Sequence, residues 1–131
     1  MDLADFLIIA EEVTGINVQV LSKMASLPLA DSALHAPQAG FGDTDRYPDF
    51  VDKAAVLLVR LARNHPLPDG NKRAAWVSLR MFVVINDWSW DPTPDVDDAE
   101  RTVMAIASGD FDEVATAEWL RQHLVSPPKS G

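Results

Sequence analysis

The sequence predicts an all-α domain. Apolar residues recur at helical spacing through its long segments, and two of these, 50–64 and 71–86, are apolar around most of their circumference. No repeat and no internal linker interrupts them, and 131 residues at 47% hydrophobic suit one domain, 1–131, with one core.

Leu3, Phe6, Leu7, Ala10 and Val13 mark a first helix over Leu3–Val13, stopped by Gly15. Val18–Ala25 reads as a second, short helix. Pro28–His35 reads as a third, with Pro28 tolerated in its first turn. From Ala36 to Tyr47 the periodicity is lost, and Pro37, Gly40 and Gly42 make a loop or short hairpin. The plain reading of that stretch is a connector. The functional one is a flap beside an active site, with Pro37, Gln38, Ala39, Gly40 and Phe41 lining the path of a target peptide.

Phe50–Asn64 is a strong helix, with Val51, Ala54, Ala55, Leu57, Leu58, Val59, Leu61 and Ala62 spread round it. Asn71–Asn86 repeats the pattern with Ala74, Ala75, Val77, Leu79, Phe82, Val83 and Ile85, so both are expected to be buried. Residues 87–92 break the helix, with room for a short extended segment. The acids of 95–100 suit a helix N-terminus, which favours a helix over Val96–Ser108 ended by Gly109. Val114, Ala117, Leu120 and Leu124 share one face of a last helix, Phe111–Leu124. Residues 126–131 form a frayed tail.

The formal net charge is −9, with 20 acids against 11 bases. Sequence-independent nucleic-acid binding needs a positive field, so it is disfavoured. Arg60, Arg63, Lys72, Arg73 and Arg80 nevertheless cluster mid-chain, which suits a small anionic ligand. There is no Cys, so disulfides, thiolate metal sites and Cys nucleophiles are excluded; the composition fits a reducing cytoplasm. Acids stand where a signal peptide carries bases, and no apolar run approaches the roughly 20 residues that cross a bilayer.

The most informative stretch is His65-Pro-Leu-Pro-Asp-Gly-Asn-Lys-Arg73, which joins the two central helices. A Pro/Gly-rich loop between helices is ordinarily only a loop. Here Pro66 and Pro68 fix φ, the residues before them, His65 and Leu67, are pushed toward extended geometry, and Gly70 admits close backbone approach. Lys72 and Arg73 stand on the first helical turn, where cations oppose the helix dipole. That conflict makes structural sense only with an anion to balance it. Asp69 can hold a metal ion, and His65 suits acid–base work. Leu67 serves as a core plug that anchors the loop.

These nine residues resemble the motif of the Fic/Doc family: a His, an aromatic two later, an acid, then Gly-Asn-Gly/Lys-Arg. Lys72, in place of a second Gly, resembles the Doc (death-on-curing) toxin branch. The likeness continues in Leu29-Ala-Asp-Ser-Ala-Leu-His-Ala-Pro-Gln-Ala-Gly-Phe-Gly42, in Tyr47-Pro-Asp-Phe, in Leu61-Ala-Arg-Asn-His65 and in Ala107-Ser-Gly-Asp-Phe111. It spans roughly residues 28–125. Leu67 departs from the pattern's usual Phe and fills less volume, and the first 27 residues are only weakly similar.

The resemblance implies a compact helical bundle with a central helix pair and a short flap hairpin. It implies the toxin of a toxin–antitoxin pair, a kinase that uses ATP and Mg²⁺ to phosphorylate a protein hydroxyl. The family's known target is elongation factor Tu, whose modification blocks translation. Carried over residue by residue, His65 would deprotonate the attacking hydroxyl, Asp69 would hold Mg²⁺, and Gly70 and Asn71 would form an anion-binding nest. Lys72 and Arg73 would neutralise phosphate charge, and Arg63 would assist. Lys72 would also fill the space that the second Gly leaves for an α-phosphate in AMP-transferring Fic enzymes, which favours presentation of the γ-phosphate. The partner implied is a Phd-like antitoxin that folds into a helix on the toxin, in a groove for which the N-terminal helix and the flap region are the candidates. The acidic surface favours Lys or Arg around that helix's apolar face. AMP transfer is the runner-up. A catalytically silent antitoxin-binding module would keep the fold without the chemistry, against which the intact His65, Asp69, Asn71, Lys72 and Arg73 speak.

Overall fold

The computed structural model describes residues 1–24, 26–38, 40, 41, 44, 45 and 49–128. Among them run α1 (Leu3–Thr14), α2 (Val18–Met24) and α3 (Leu27–His35), then a 3-10 turn (Ala36–Gln38), β1 (Gly40–Phe41) and β2 (Thr44–Asp45). There follow α4 (Phe50–Asn64), α5 (Asn71–Ile85), β3 (Ser89–Trp90), α6 (Val96–Ser108), α7 (Glu113–Arg121) and β4 (Leu124–Val125). The all-α expectation holds. No described helix is long and apolar enough to cross a membrane.

Local chemistry sets the helix ends. Asp2 and Asp5 form a reciprocal capping box on α1, each side chain accepting from the other's backbone N–H at 2.9 and 3.1 Å. Asp49, Asp95 and Asp112 cap α4, α6 and α7 by accepting from Val51, Asp97 and Ala115 N–H groups.

Helix α4 is the hub, packed against α3, α5, α6 and α7. Val56 and Leu58 are fully buried on it, as are Ala54, Leu61 and Ala62, so its all-round apolarity means burial, as expected. Phe50, at its start, stacks on Phe82 of α5 and on Trp88, with centroids 5.2 and 4.6 Å apart. At the same end Arg121 of α7 donates to Asp49 at 3.2 Å and to Asp52 at 3.0 Å. The hydrogen bond it donates to Asp49 is the chief reason that guanidinium is held even further toward its charged form than usual.

Two expectations give way. Helix α5 is amphipathic rather than buried all round: Val77, Val84 and Ile85 are exposed, because neighbouring helices cover only the side carrying Ala74, Ala75, Leu79, Phe82 and Val83. The last helix covers Glu113–Arg121, not Phe111–Leu124. Its start is set by the Asp112 cap, and Leu124 and Val125 leave the helical path to pair antiparallel with Trp90 and Ser89. The break after α5 thereby gains an extended segment tied to the chain's end, and Asp91 N–H donates to the His123 carbonyl at 2.7 Å.

The proposed flap stretch does contain a short hairpin, β1 against β2 with Gly40 opposite Asp45 and Phe41 opposite Thr44. Ala39, named with the flap, lies outside the described residues. Pro37 is buried and Gln38 exposed in the preceding turn, whose Pro37 carbonyl accepts from Lys53 Nζ at 2.9 Å. The root of the flap is therefore pinned to α4.

Candidate functional site

The loop between α4 and α5 is held from three sides. Ser26 N–H, at the head of α3, donates to the Pro66 carbonyl at 2.7 Å. Leu67 is buried in the core, as a plug should be. The Asn71 side chain closes the loop on itself: its Oδ1 accepts from Leu67 N–H and its Nδ2 donates to the Leu67 carbonyl, both at 2.8 Å. This two-point clamp was not legible in the sequence. It gives the Asn71 amide a bracing role and leaves only its backbone N–H to face an anion.

Two residues of the loop lie in the left-handed region. His65 ends α4 with φ 47° and ψ 55°, not in the extended geometry expected before a proline. Capping the helix there turns the chain sharply, and His is among the residue types that tolerate this conformation. Gly70 begins α5 with φ 72°, and a Cβ there would stand 3.0 Å from Val13 Cγ1 and 3.4 Å from Thr14 Cγ2 of α1. Only Gly meets both demands. Gly70→Ala is expected to cost about 1–2 kcal/mol for the backbone alone, more if α1 cannot yield, and a drop of several degrees in Tm by calorimetry checks it.

The first turn of α5 has no side-chain cap, so the N–H groups of Asn71, Lys72 and Arg73 lack helical acceptors. These three residues line a cavity of about 700 Å³. His65, Asp69, Gly70, Asn71, Lys72 and Arg73 all line it, and Arg80, two turns further along α5, joins them. His65 and Lys72 also share a smaller cavity of about 310 Å³ with Met104 and Ser108 of α6. His65, Asp69, Lys72, Arg73 and Arg80 are all exposed, and among the described residues none of their side chains makes a hydrogen bond or ion pair. Three cations unpaired among the described residues line one cavity, and two of them, Lys72 and Arg73, stand on the first turn of α5 beside its orphan donors, a chemistry that would suit an anion.

Arg63 does not belong to it. Its Nε donates to the Ile106 carbonyl at 3.0 Å and its Nη2 to the Phe111 carbonyl at 2.6 Å, and it does not line the cavity. The phosphate role implied for it gives way to a structural one: it ties the end of α4 to the end of α6 and the turn that follows. Its Arg60 neighbour is likewise engaged, with Glu113 at 3.6 Å. Arg63→Ala is expected to lower stability by about 1–3 kcal/mol while leaving phosphate affinity within about two-fold. Chemical denaturation and phosphate titration read the two effects separately.

Among the described residues no three His, Cys, Asp or Glu side chains gather as a metal site. Asp69 alone fits Mg²⁺ nonetheless, since that ion is commonly held by one or two carboxylates and by the phosphates of its nucleotide. The Asp69 carboxylate faces the same cavity as the cations and carries no protein partner among the described residues.

The far wall was missed in the sequence. Trp76 and Trp90 form a tilted pair with centroids 5.5 Å apart, and Trp76 meets Trp119 at 5.9 Å. Trp119 Nε1 donates to Asp98 Oδ2 at 3.1 Å, fixing this aromatic group against α6. Pro94 and Val96 line the same cavity as Trp76 and Trp90. The signal for it was present: two Trp residues, 88 and 90, sit in a Pro- and Asp-rich break where a plain loop has no use for them.

A family model described as Fic/DOC family matches residues 8–83. That span takes in the latter part of α1 and all of α2, within the first 27 residues that resemble the pattern only weakly. A protein named Toxin Doc, from Mycolicibacterium smegmatis (strain ATCC 700084 / mc(2)155), is 44% identical over 90 residues, 69% of this chain and 69% of that protein. With its motif loop and clamp in place, the chain belongs to the Fic/DOC family.

Proposed function

We propose that this protein is the toxin of a toxin–antitoxin pair. Its chemistry is that of a protein kinase transferring a phosphoryl group from ATP to a Ser or Thr hydroxyl of a translation factor, elongation factor Tu being the target the family likeness suggests. The observation that carries the reading is the convergence of His65, Asp69, Lys72, Arg73 and Arg80 on one cavity without partners among the described residues. The toxin assignment draws on the 44% identity to the protein named Toxin Doc.

In this mechanism the His65 ring takes the proton of the attacking hydroxyl. The hydroxyl oxygen bonds to the γ-phosphorus, the bond to the bridging oxygen breaks, and ADP leaves with that oxygen. Lys72, Arg73 and the N–H groups of the first turn of α5 bind the phosphates and balance the charge they carry through transfer. Asp69 would hold Mg²⁺, which supplies further positive charge against the phosphates when bound. The edge of the β1–β2 hairpin offers main-chain groups to an extended target peptide. An antitoxin would contribute an amphipathic helix with Lys or Arg around its apolar face, suited to the net charge of −9.

Mass spectrometry of a bacterial lysate treated with the protein and ATP tests this reading. A phosphate gained on a protein hydroxyl is the expected result. An AMP gained instead transfers the assignment to nucleotidyl chemistry, and neither modification nor nucleotide hydrolysis leaves a silent binding module. Lys72→Gly is expected to slow phosphate incorporation by roughly a hundred-fold, measured with labelled ATP. An unchanged rate removes Lys72 from the machinery.

A further inference from the structure

The cavity runs along one face of α6. Val96, Glu100 and Met104 all line it, spaced four residues apart and so stacked on the same side of the helix. At 1.5 Å rise per residue each stands about 6 Å from the next along the axis. Met104 marks the chemical end, because it shares the smaller cavity with His65 and Lys72. Val96 is at the other end of this row, and Trp76, Trp90 and Pro94 line the cavity with it. Glu100 lies between them.

A carboxylate in that position needs a reason. Lys72, Arg73 and Arg80 line the same cavity, yet Glu100 pairs with none of them, and it has no hydrogen bond among the described residues. It is therefore not spent on closing the site. It would repel phosphates, so it does not serve that end of a ligand. A carboxylate only accepts hydrogen bonds, and it can accept two side by side. Of the three parts of a nucleotide, the one lying between phosphates and base is the ribose, and the ribose presents two adjacent hydroxyl donors.

We propose that Glu100 accepts the ribose hydroxyls of the bound nucleotide, with the base against Trp76 and Trp90, so that this one side chain makes the protein select ribonucleotides over deoxyribonucleotides. The proposal rests on the reading of the cavity as a nucleotide site. Acidic side chains in other nucleotide-binding folds meet ribose hydroxyls by the same chemistry.

The test compares ADP, 2′-deoxy-ADP and inorganic tripolyphosphate by calorimetric titration on the wild-type protein, Glu100→Ala and Trp90→Leu. Wild type should bind ADP about ten-fold more tightly than 2′-deoxy-ADP, as a charge-assisted hydrogen bond provides. Glu100→Ala should bind the two alike, with tripolyphosphate bound at least as tightly as before. A charge effect alone would shift both nucleotides equally and leave their ratio unchanged, which would overturn the proposal. Trp90→Leu should weaken ADP by about ten-fold with tripolyphosphate unaffected, the latter showing an intact phosphate end. Equal affinity of wild type for ADP and 2′-deoxy-ADP removes the role of Glu100 and leaves the nucleotide reading standing. Binding of tripolyphosphate without either nucleotide, or of none of the three, overturns both.

Discussion

His65→Ala should reduce target modification by roughly 10²- to 10⁴-fold, the usual contribution of a positioned acid–base group. The fold should be untouched. The ring is exposed and makes no hydrogen bond or ion pair among the described residues, so its loss should move stability by no more than about 0.5 kcal/mol. Labelled phosphate incorporation and a thermal melt of the same preparation separate the two quantities. In cells the unaltered protein without a partner should arrest growth, and the variant should not. Modification persisting at the wild-type rate would show that another group takes the proton. A large fall in Tm would show that His65 matters first as the left-handed cap of α4.

Asn71→Ala should be the second most damaging change, by a different route. The substitution leaves the N–H and carbonyl of Leu67 without the partners they hold at 2.8 Å, in partly buried surroundings. Each unsatisfied group costs about 1–3 kcal/mol where water cannot reach it, so a loss of several degrees in Tm is expected. Activity should fall by roughly a hundred-fold as well, because a shift of about 1 Å in a catalytic loop has that effect. His65 and Asp69, on either side of Leu67, would both move. The distinguishing mark is the binding of inorganic phosphate. If Asn71 acted as a phosphate ligand through its amide, that affinity would collapse with activity; as a brace it should lose only a few-fold.

What could be read in advance was what local chemistry decides. Helices α4 and α6 fall at their expected residues because an Asp precedes each start and a residue in the left-handed region ends each. The cluster from His65 to Arg73 was legible because its residues are consecutive, and the fold had only to turn them toward one space. What could not be read depends on contacts between distant segments. Leu124 keeps helical spacing with Ala117 and Leu120, yet it pairs with Trp90 in a strand. Val77 and Ile85 look like core residues, but both are exposed, no described residue covering that side of α5. Arg63 stands two residues before His65 and resembles part of the site, while its reach carries it to one carbonyl in the last turn of α6 and one just beyond it. The aromatic wall joins residues from α5 and α7 with one from β3, and the Trp-bearing break announces only the last of these.

The bond from Ser26 to Pro66 and the close fit of Gly70 against Val13 and Thr14 have a consequence for anyone wishing to shrink this protein. A fragment starting at α4 would retain every residue of the motif and much of the cavity's far wall. It would lack the backing against which the loop is pressed. Such a piece would be a complete inscription on an unsupported page: the letters are all present, and nothing keeps them in register. The smallest working unit therefore begins at α1, and swapping the N-terminal helices between relatives should succeed only where the surface at Val13 and Thr14 still accommodates a bare glycine.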